Sequence, residues 1–124
     1  MKKILIVDDV KGWRDYNSNI VKELFEEVEI ETADYAQEAY DILLQEKPFD
    51  IIITDLQMED TFEPKFAGEW LVEQIKTFSR YNNTKVVIIS ASYNAIHIAE
   101  SFGVECIPKP TALKCLSAYK EVLI

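Results

Sequence analysis

The feature that most constrains this chain is a set of short apolar runs, each closed by a charged or hydroxyl residue. Ile4-Leu5-Ile6-Val7 ends at Asp8-Asp9, Ile51-Ile52-Ile53-Thr54 ends at Asp55, Val86-Val87-Ile88-Ile89 ends at Ser90, and Val104-Glu105-Cys106-Ile107 runs on to Lys109. Runs this short and this continuously apolar suit strands buried on both faces, as central strands of a parallel sheet are. In an open parallel sheet the C-terminal ends of the strands face one crevice, so residues far apart in sequence become neighbours there. Asp8, Asp9 and Asp55 would then crowd three carboxylates together, which is costly without a cation. Oxygen-only ligands of this kind suit a hard divalent ion, Mg²⁺ or Mn²⁺. Lys109 would add a positive point charge for a bound anion. Taken singly, each residue has a plainer explanation: a strand-end carboxylate caps the next helix, Ser90 forms a turn, Lys109 is a solvated lysine. The four sites together are what point to a functional crevice.

Between the apolar runs the periodicity is helical, and the alternation predicts five βα units around a doubly wound parallel sheet. The strands are expected over Lys3–Val7, Glu29–Ala33, Phe49–Thr54, Lys85–Ser90 and Val104–Ile107. The second alternates polar with apolar residues, as an edge strand does, whereas the first, third and fourth read as central. Trp13, Tyr16, Ile20 and Leu24 trace the inner face of a first helix, and Ala36, Ala39, Tyr40, Leu43 and Leu44 that of a second, with Asp34 placed to cap it. Leu71, Ile75 and Phe78 mark a third helix, Ala95, Ile98, Ala99 and Phe102 a fourth that ends at Gly103, and Leu113, Leu116 and Leu123 a fifth. Trp13 and Trp70 read as packing groups, and His97 as a surface or packing residue.

Charge and residue usage remove several classes of function. With 13 basic against 22 acidic residues the formal net charge is −9, which opposes direct binding of nucleic acid and of anionic membranes and leaves proteins as the expected partners. The apolar run after Lys2-Lys3 is too short for a secretory signal, and no segment is long enough to span a bilayer. Two cysteines, Cys106 and Cys115, and a single histidine make a zinc site a poor fit and favour a reduced, cytoplasmic protein. Gly12, Gly68 and Gly103 form no phosphate-cradling loop.

Asp8-Asp9, Asp55, Ser90-Ala91 and Lys109-Pro110, each after its strand and in this order, resemble the CheY-like receiver domain of two-component response regulators. Arg14, the stretch Ala33–Ala39 and Met58, three residues after Asp55, extend the resemblance over essentially the whole chain. The resemblance implies a flavodoxin-like (βα)5 fold with strand order 2-1-3-4-5, residues 1–124 forming a single receiver domain with no output domain. It implies that Asp55 accepts a phosphoryl group from the phosphohistidine of a sensor histidine kinase or a histidine phosphotransfer protein. Asp8, Asp9, Asp55 and the backbone carbonyl of Gln57 would bind Mg²⁺, with Lys109 and Ser90 contacting the phosphoryl oxygens. The side chains of Gln57 and Ser92 would govern water access to the acyl phosphate. A protein target would dock on the fourth helix, fifth strand and fifth helix, with Tyr119 and Lys120 as candidate contacts. Such a domain catalyses only its own phosphorylation and dephosphorylation.

Two departures from the family pattern stand out. Cys106 occupies the fifth-strand position where most receivers carry the aromatic switch partner of the Ser90 site, and it is too small for that role. The loop Glu59–Phe66 is an extended acidic and aromatic excursion, readable as a partner contact, a lid or a tolerated insertion. Two other functional classes compete with the phosphoacceptor: a receiver-like binding module that keeps the fold but signals without phosphorylation, which both departures make less remote, and a metal-dependent phosphatase. Gln57 counts against the phosphatase, because haloacid-dehalogenase-like enzymes, which use such an aspartate, place a second aspartate two residues after the nucleophile.

Overall fold

The continuous apolar runs become the interior of a five-stranded parallel sheet, in a computed structural model that describes all 124 residues. Strands β1 (Lys2–Val7), β2 (Val28–Ala33), β3 (Ile51–Thr54), β4 (Lys85–Ser90) and β5 (Glu105–Pro108) lie in the order β2-β1-β3-β4-β5. The connecting helices are α1 (Lys11–Leu24), α2 (Ala36–Leu44), α3 (Ala67–Thr77), α4 (Ala95–Phe102), α5 (Lys109–Lys114) and α6 (Leu116–Leu123). This is the doubly wound, flavodoxin-like α/β fold, with the polar-alternating β2 at one edge as its pattern predicts.

Side-chain alternation along the strands divides the core in two. Leu5, Val7, Ile52, Val86 and Ile88 pack with residues of α2, α3 and α4. Ile4, Ile6, Ile51, Ile53, Val87, Ile89 and Ile107 pack instead with Val21 of α1, Ala112 of α5, and Tyr119 and Leu123 of α6. Strands with a hydrophobic layer on each side cannot shift by one residue without exchanging the two cores, which fixes their register. In that register Val7 lies beside both Ala33 and Thr54, and Ser90 beside Pro108, so the residues that follow emerge together at one end of the sheet.

Several expected details are corrected. Asp34 does not cap α2: Tyr35 is the cap residue and makes no side-chain cap bond. Asp34 pairs with Arg14 at 3.3 Å. The free amides at the start of α2 are met from a distant loop, where the Glu59 carboxylate accepts from Ala36 N–H at 2.8 Å and Gln37 N–H at 3.0 Å. The single fifth helix is two, broken at Cys115, whose extended backbone (φ −139°, ψ 94°) interrupts the hydrogen-bond ladder. Leu113 and Leu116, expected on its inner face, are exposed, as is Leu44 of α2. Tyr119 cannot be a partner contact: it is fully buried and its hydroxyl donates to Asn17 Oδ1 at 2.6 Å.

The Glu59–Phe66 excursion is fastened rather than loose. Phe62 stacks on Trp70 with centroids 4.1 Å apart, Lys65 pairs with Glu73, and Trp70 in turn packs on Tyr40 at 5.3 Å. These contacts lay the loop over α2 and α3.

Gly68 ends the loop where the chain passes under Asp55. Its amide donates to Leu56 O at 2.9 Å, and a Cβ built on it would lie 1.9 Å from the Asp55 carbonyl oxygen. That neighbour is backbone and cannot step aside. Gly68→Ala should therefore cost about 3 kcal/mol or more in denaturant unfolding. Gly12→Ala, with nothing within 4 Å of the added carbon, should be neutral or stabilise α1 by about 0.5–1 kcal/mol. Equal effects of the two substitutions would contradict this packing.

Candidate functional site

The ladder of the sheet places the acidic residues. Asp8 N–H donates to Ala33 O at 3.1 Å and Asp55 N–H donates to Val7 O at 2.9 Å, so each carboxylate leaves the backbone at the end of its strand beside its neighbour. Asp8 and Asp55 are buried, at 1% and 5% exposure, and Asp9 is open to solvent. One oxygen from each of the three lies within 4.8 Å of the others. Asp8 Oδ1 also accepts from Val10 N–H at 3.0 Å, and Asp55 Oδ1 from Leu56 N–H at 2.8 Å. Arg14 braces the turn by donating to Asp8 O at 2.9 Å.

Lys109 supplies the counter-charge. It is the first residue of α5 and is itself nearly buried; its ammonium sits 3.2 Å from Asp8 Oδ2 and 3.1 Å from Asp55 Oδ2. One cation therefore bridges two buried carboxylates while a third stands at the rim. Burial pushes the Asp55 carboxyl above the ordinary carboxylate range, and Asp8 adds to this, against the opposing pull of Lys109. Burial does the same to Asp8, opposed by the Val10 amide and by Lys109. Both shifts mark carboxyls that have lost more hydration than Lys109 and the backbone amides restore. The donor set, all carboxylate oxygen within a few ångströms, fits a hard divalent cation.

Ser90 ends β4 as a buried residue whose Oγ accepts from Ser92 N–H at 3.1 Å, which leaves the hydroxyl proton free to donate. Ser92 Oγ contacts Asn94 Oδ1 at 2.6 Å, so the Ala91–Asn94 turn is closed on itself, with Tyr93 fully exposed at its tip. Gln57, two residues beyond Asp55, has an exposed side chain. Cys106 is a half-buried free thiol packed against the α2–α4 core, its pKa pushed up to about 11 by burial. It is an inert packing group, as its surroundings require.

Two contributors escaped the sequence reading. Glu59 caps α2 from 23 residues away, which no local cap pattern signals. Trp13, expected only to pack, places its ring under the Lys109 ammonium at 4.8 Å from the centroid. His97 is exposed on α4, away from these contacts.

A CheY-like α/β domain with an acidic crevice at the carboxyl ends of its strands is the class that fold and site define. The sequence pattern of the response regulator receiver domain matches residues 4–119, and the chain belongs to that family. It is thus a signalling domain of two-component systems. Among solved structures it is similar to the chemotaxis response regulator CheY4 of Vibrio cholerae, with 26% identity, 99% of both chains covered and a TM-score of 0.77. It is also similar to a two-component transcriptional regulator AraC of Clostridium phytofermentans, with 26% identity over 99% of this chain and 93% of that one, TM-score 0.75. The response regulator TrrA of Thermotoga maritima, solved in complex with Mg²⁺–BeF, shares the fold at 24% identity over the full length of both chains, TM-score 0.75. Comparison with curated proteins gives no match. No helix is long and apolar enough to cross a membrane.

The raised carboxyls carry a stability consequence. A group whose pKa is raised on folding binds protons more tightly in the folded state, so Asp8 and Asp55 favour folding at low pH and lose that advantage as pH rises through their folded pKa. At neutral pH without divalent ions, Asp55→Asn should raise the unfolding midpoint by roughly 3–5 °C, the shift for about 1 kcal/mol in a domain of this size. Mg²⁺ should raise the parent midpoint more than that of the variant. A lower midpoint in the metal-free variant would mean that Lys109 more than offsets the burial of Asp55.

Proposed function

We propose that Asp55 accepts a phosphoryl group from a phosphohistidine, on a sensor histidine kinase or a histidine phosphotransfer protein, in a step that needs Mg²⁺ or Mn²⁺. The observation that carries this reading is the Asp55 carboxylate itself. It is buried, oriented by the Leu56 amide at 2.8 Å, and flanked by the Lys109 ammonium at 3.1 Å and two further carboxylates. An Asp55 oxygen attacks phosphorus as the P–N bond breaks, and the electron pair returns to the imidazole nitrogen of the donor. The product is an acyl phosphate.

Each neighbour has a physical task in that step. Asp8, Asp9, Asp55 and the Gln57 backbone carbonyl would hold the divalent ion, which when bound neutralises phosphoryl charge and aligns it for displacement. Lys109 passes from the carboxylates to a phosphoryl oxygen, and Ser90 turns its free proton to another. Arg14 and the Val10 amide keep the Asp8 turn in place meanwhile.

The signal is a protein-binding surface on α4, β5 and the α5–α6 pair. Cys106 is too small to swing against the Ser90 site, so the change rests on Ser90, Lys109 and the Ala91–Asn94 turn. Ile96, Leu113 and Lys120 are exposed there. The complete set of carboxylates and lysine favours this reading over a binding module that signals without phosphorylation.

Incubation with a small phosphodonor and Mg²⁺, followed by intact-mass measurement, should add one phosphoryl increment. The increment should vanish with chelator and in Asp55→Asn; its persistence in that variant would move the nucleophile elsewhere. Once formed, the phosphoprotein should lose its group at a rate changed severalfold by Gln57→Ala and less by Ser92→Ala, because the Gln57 amide is the side chain long enough to orient or block water. Unchanged lifetimes in both variants would remove these residues from water control.

A further inference from the structure

Lys109 has three contacts at its ammonium, and two of them are carboxylates that a divalent ion would also claim. Asp8 and Asp55 lie at 3.2 and 3.1 Å, and the third contact is the face of Trp13, 4.8 Å from ring centroid to Nζ. A lysine side chain is a long, flexible stem whose charge is strongly hydrated, so its position depends on what holds its head. When the carboxylates turn toward a divalent cation, the like charge of that cation repels the ammonium and both carboxylate contacts weaken. The ring contact offers no ligand atom and does not compete.

The ring is also well anchored. Trp13 meets Tyr16 edge to face at 5.5 Å and 77°, and the Tyr16 hydroxyl donates to Ala112 O at 2.8 Å. Ala112 belongs to α5, the helix that Lys109 begins. The chain of contacts from Lys109 through Trp13 and Tyr16 therefore returns to the same helix one turn later, and fixes the indole relative to the backbone of the lysine it faces. An aromatic face holding a desolvated ammonium is a favourable electrostatic contact.

We propose that Trp13 is a positioning residue for Lys109, keeping its ammonium in the crevice for the incoming phosphoryl group while Asp8 and Asp55 are engaged elsewhere. This rests on the phosphoacceptor reading of Asp55. The indole does not touch the reacting atoms; it acts through the lysine. It also couples the state of the crevice to α5 through the Tyr16 hydroxyl, on the face of the sheet opposite to Cys106.

The test uses the full chain in a Trp70→Phe background, where Trp13 is the sole indole. Phosphorylation by a small donor with Mg²⁺ is followed by intact mass. Trp13→Leu should slow it about fivefold, the factor matching the cation–π contact, whereas Trp13→Phe, which keeps an aromatic face, should stay within about twofold. Trp13 emission should change on adding Mg²⁺ with beryllium fluoride, and this change should be lost in Lys109→Met. Equal rates for parent and Trp13→Leu, equal losses in the Leu and Phe variants, or an emission change that survives Lys109→Met would each overturn the positioning role. Should Trp13→Leu fail to fold, the emission comparison decides alone. A parent protein that takes up no phosphoryl group would instead overturn the reading of Asp55 on which the role rests.

Discussion

Three like charges held at one end of a parallel sheet are the constraint around which this structure is arranged. Asp8 and Asp55 are pinned there by backbone hydrogen bonds to Ala33 and Val7, and neither can retreat into solvent. Their mutual repulsion and desolvation are met in part by one lysine, which is why Lys109 is nearly buried and bridges both. The remaining excess of negative charge is what makes the crevice receptive to a divalent cation, and the lysine is what makes it receptive to an anion afterwards.

The fold supplies the precision that such a crevice needs. Two separate hydrophobic layers clamp the sheet, so strand register, and with it the relative position of Val7, Thr54 and Ser90, has little freedom. Sites built on the ends of strands inherit that rigidity. By contrast, the parts that the two layers do not clamp lie around the rim: the exposed Asp9, the Ala91–Asn94 turn and the Gln57 side chain. The Glu59–Phe66 loop is not among them. It is tied to α2 through Glu59 and to α3 through Phe62 and Lys65, so it joins the segment after Asp55 to two helices.

What could be read from the sequence was whatever depends on short-range pattern. Buried strands announce themselves as continuous apolar runs, and all five lie within two residues of their expected bounds, with β2, one of the two edge strands, distinguished as such. The crevice followed from strand ends alone. What could not be read depends on contacts between distant residues. Asp34 had the local look of a helix cap, but Arg14 claims its carboxylate and Glu59, far along the chain, meets the α2 amides instead. The helical period from Leu113 to Leu123 continues across Cys115, whose extended backbone breaks the helix and turns Leu113 and Leu116 outward. Tyr119 looked like an exposed helix residue because its partner, Asn17, is a polar group buried 102 positions away. Trp13 was read as packing because nothing local connects it to Lys109.

The central claim is that Asp55, among several neighbouring carboxylates, is the group that takes the phosphoryl. Borohydride reduces an acyl phosphate to the corresponding alcohol and leaves free carboxylates intact, so it marks the acceptor chemically. Protein treated with a phosphodonor and Mg²⁺, reduced, digested and mapped by peptide mass spectrometry should carry homoserine in place of aspartate at position 55 alone. Reduction at Asp8 or Asp9 instead, or no reduced residue in a sample that has gained the phosphoryl mass, would contradict it.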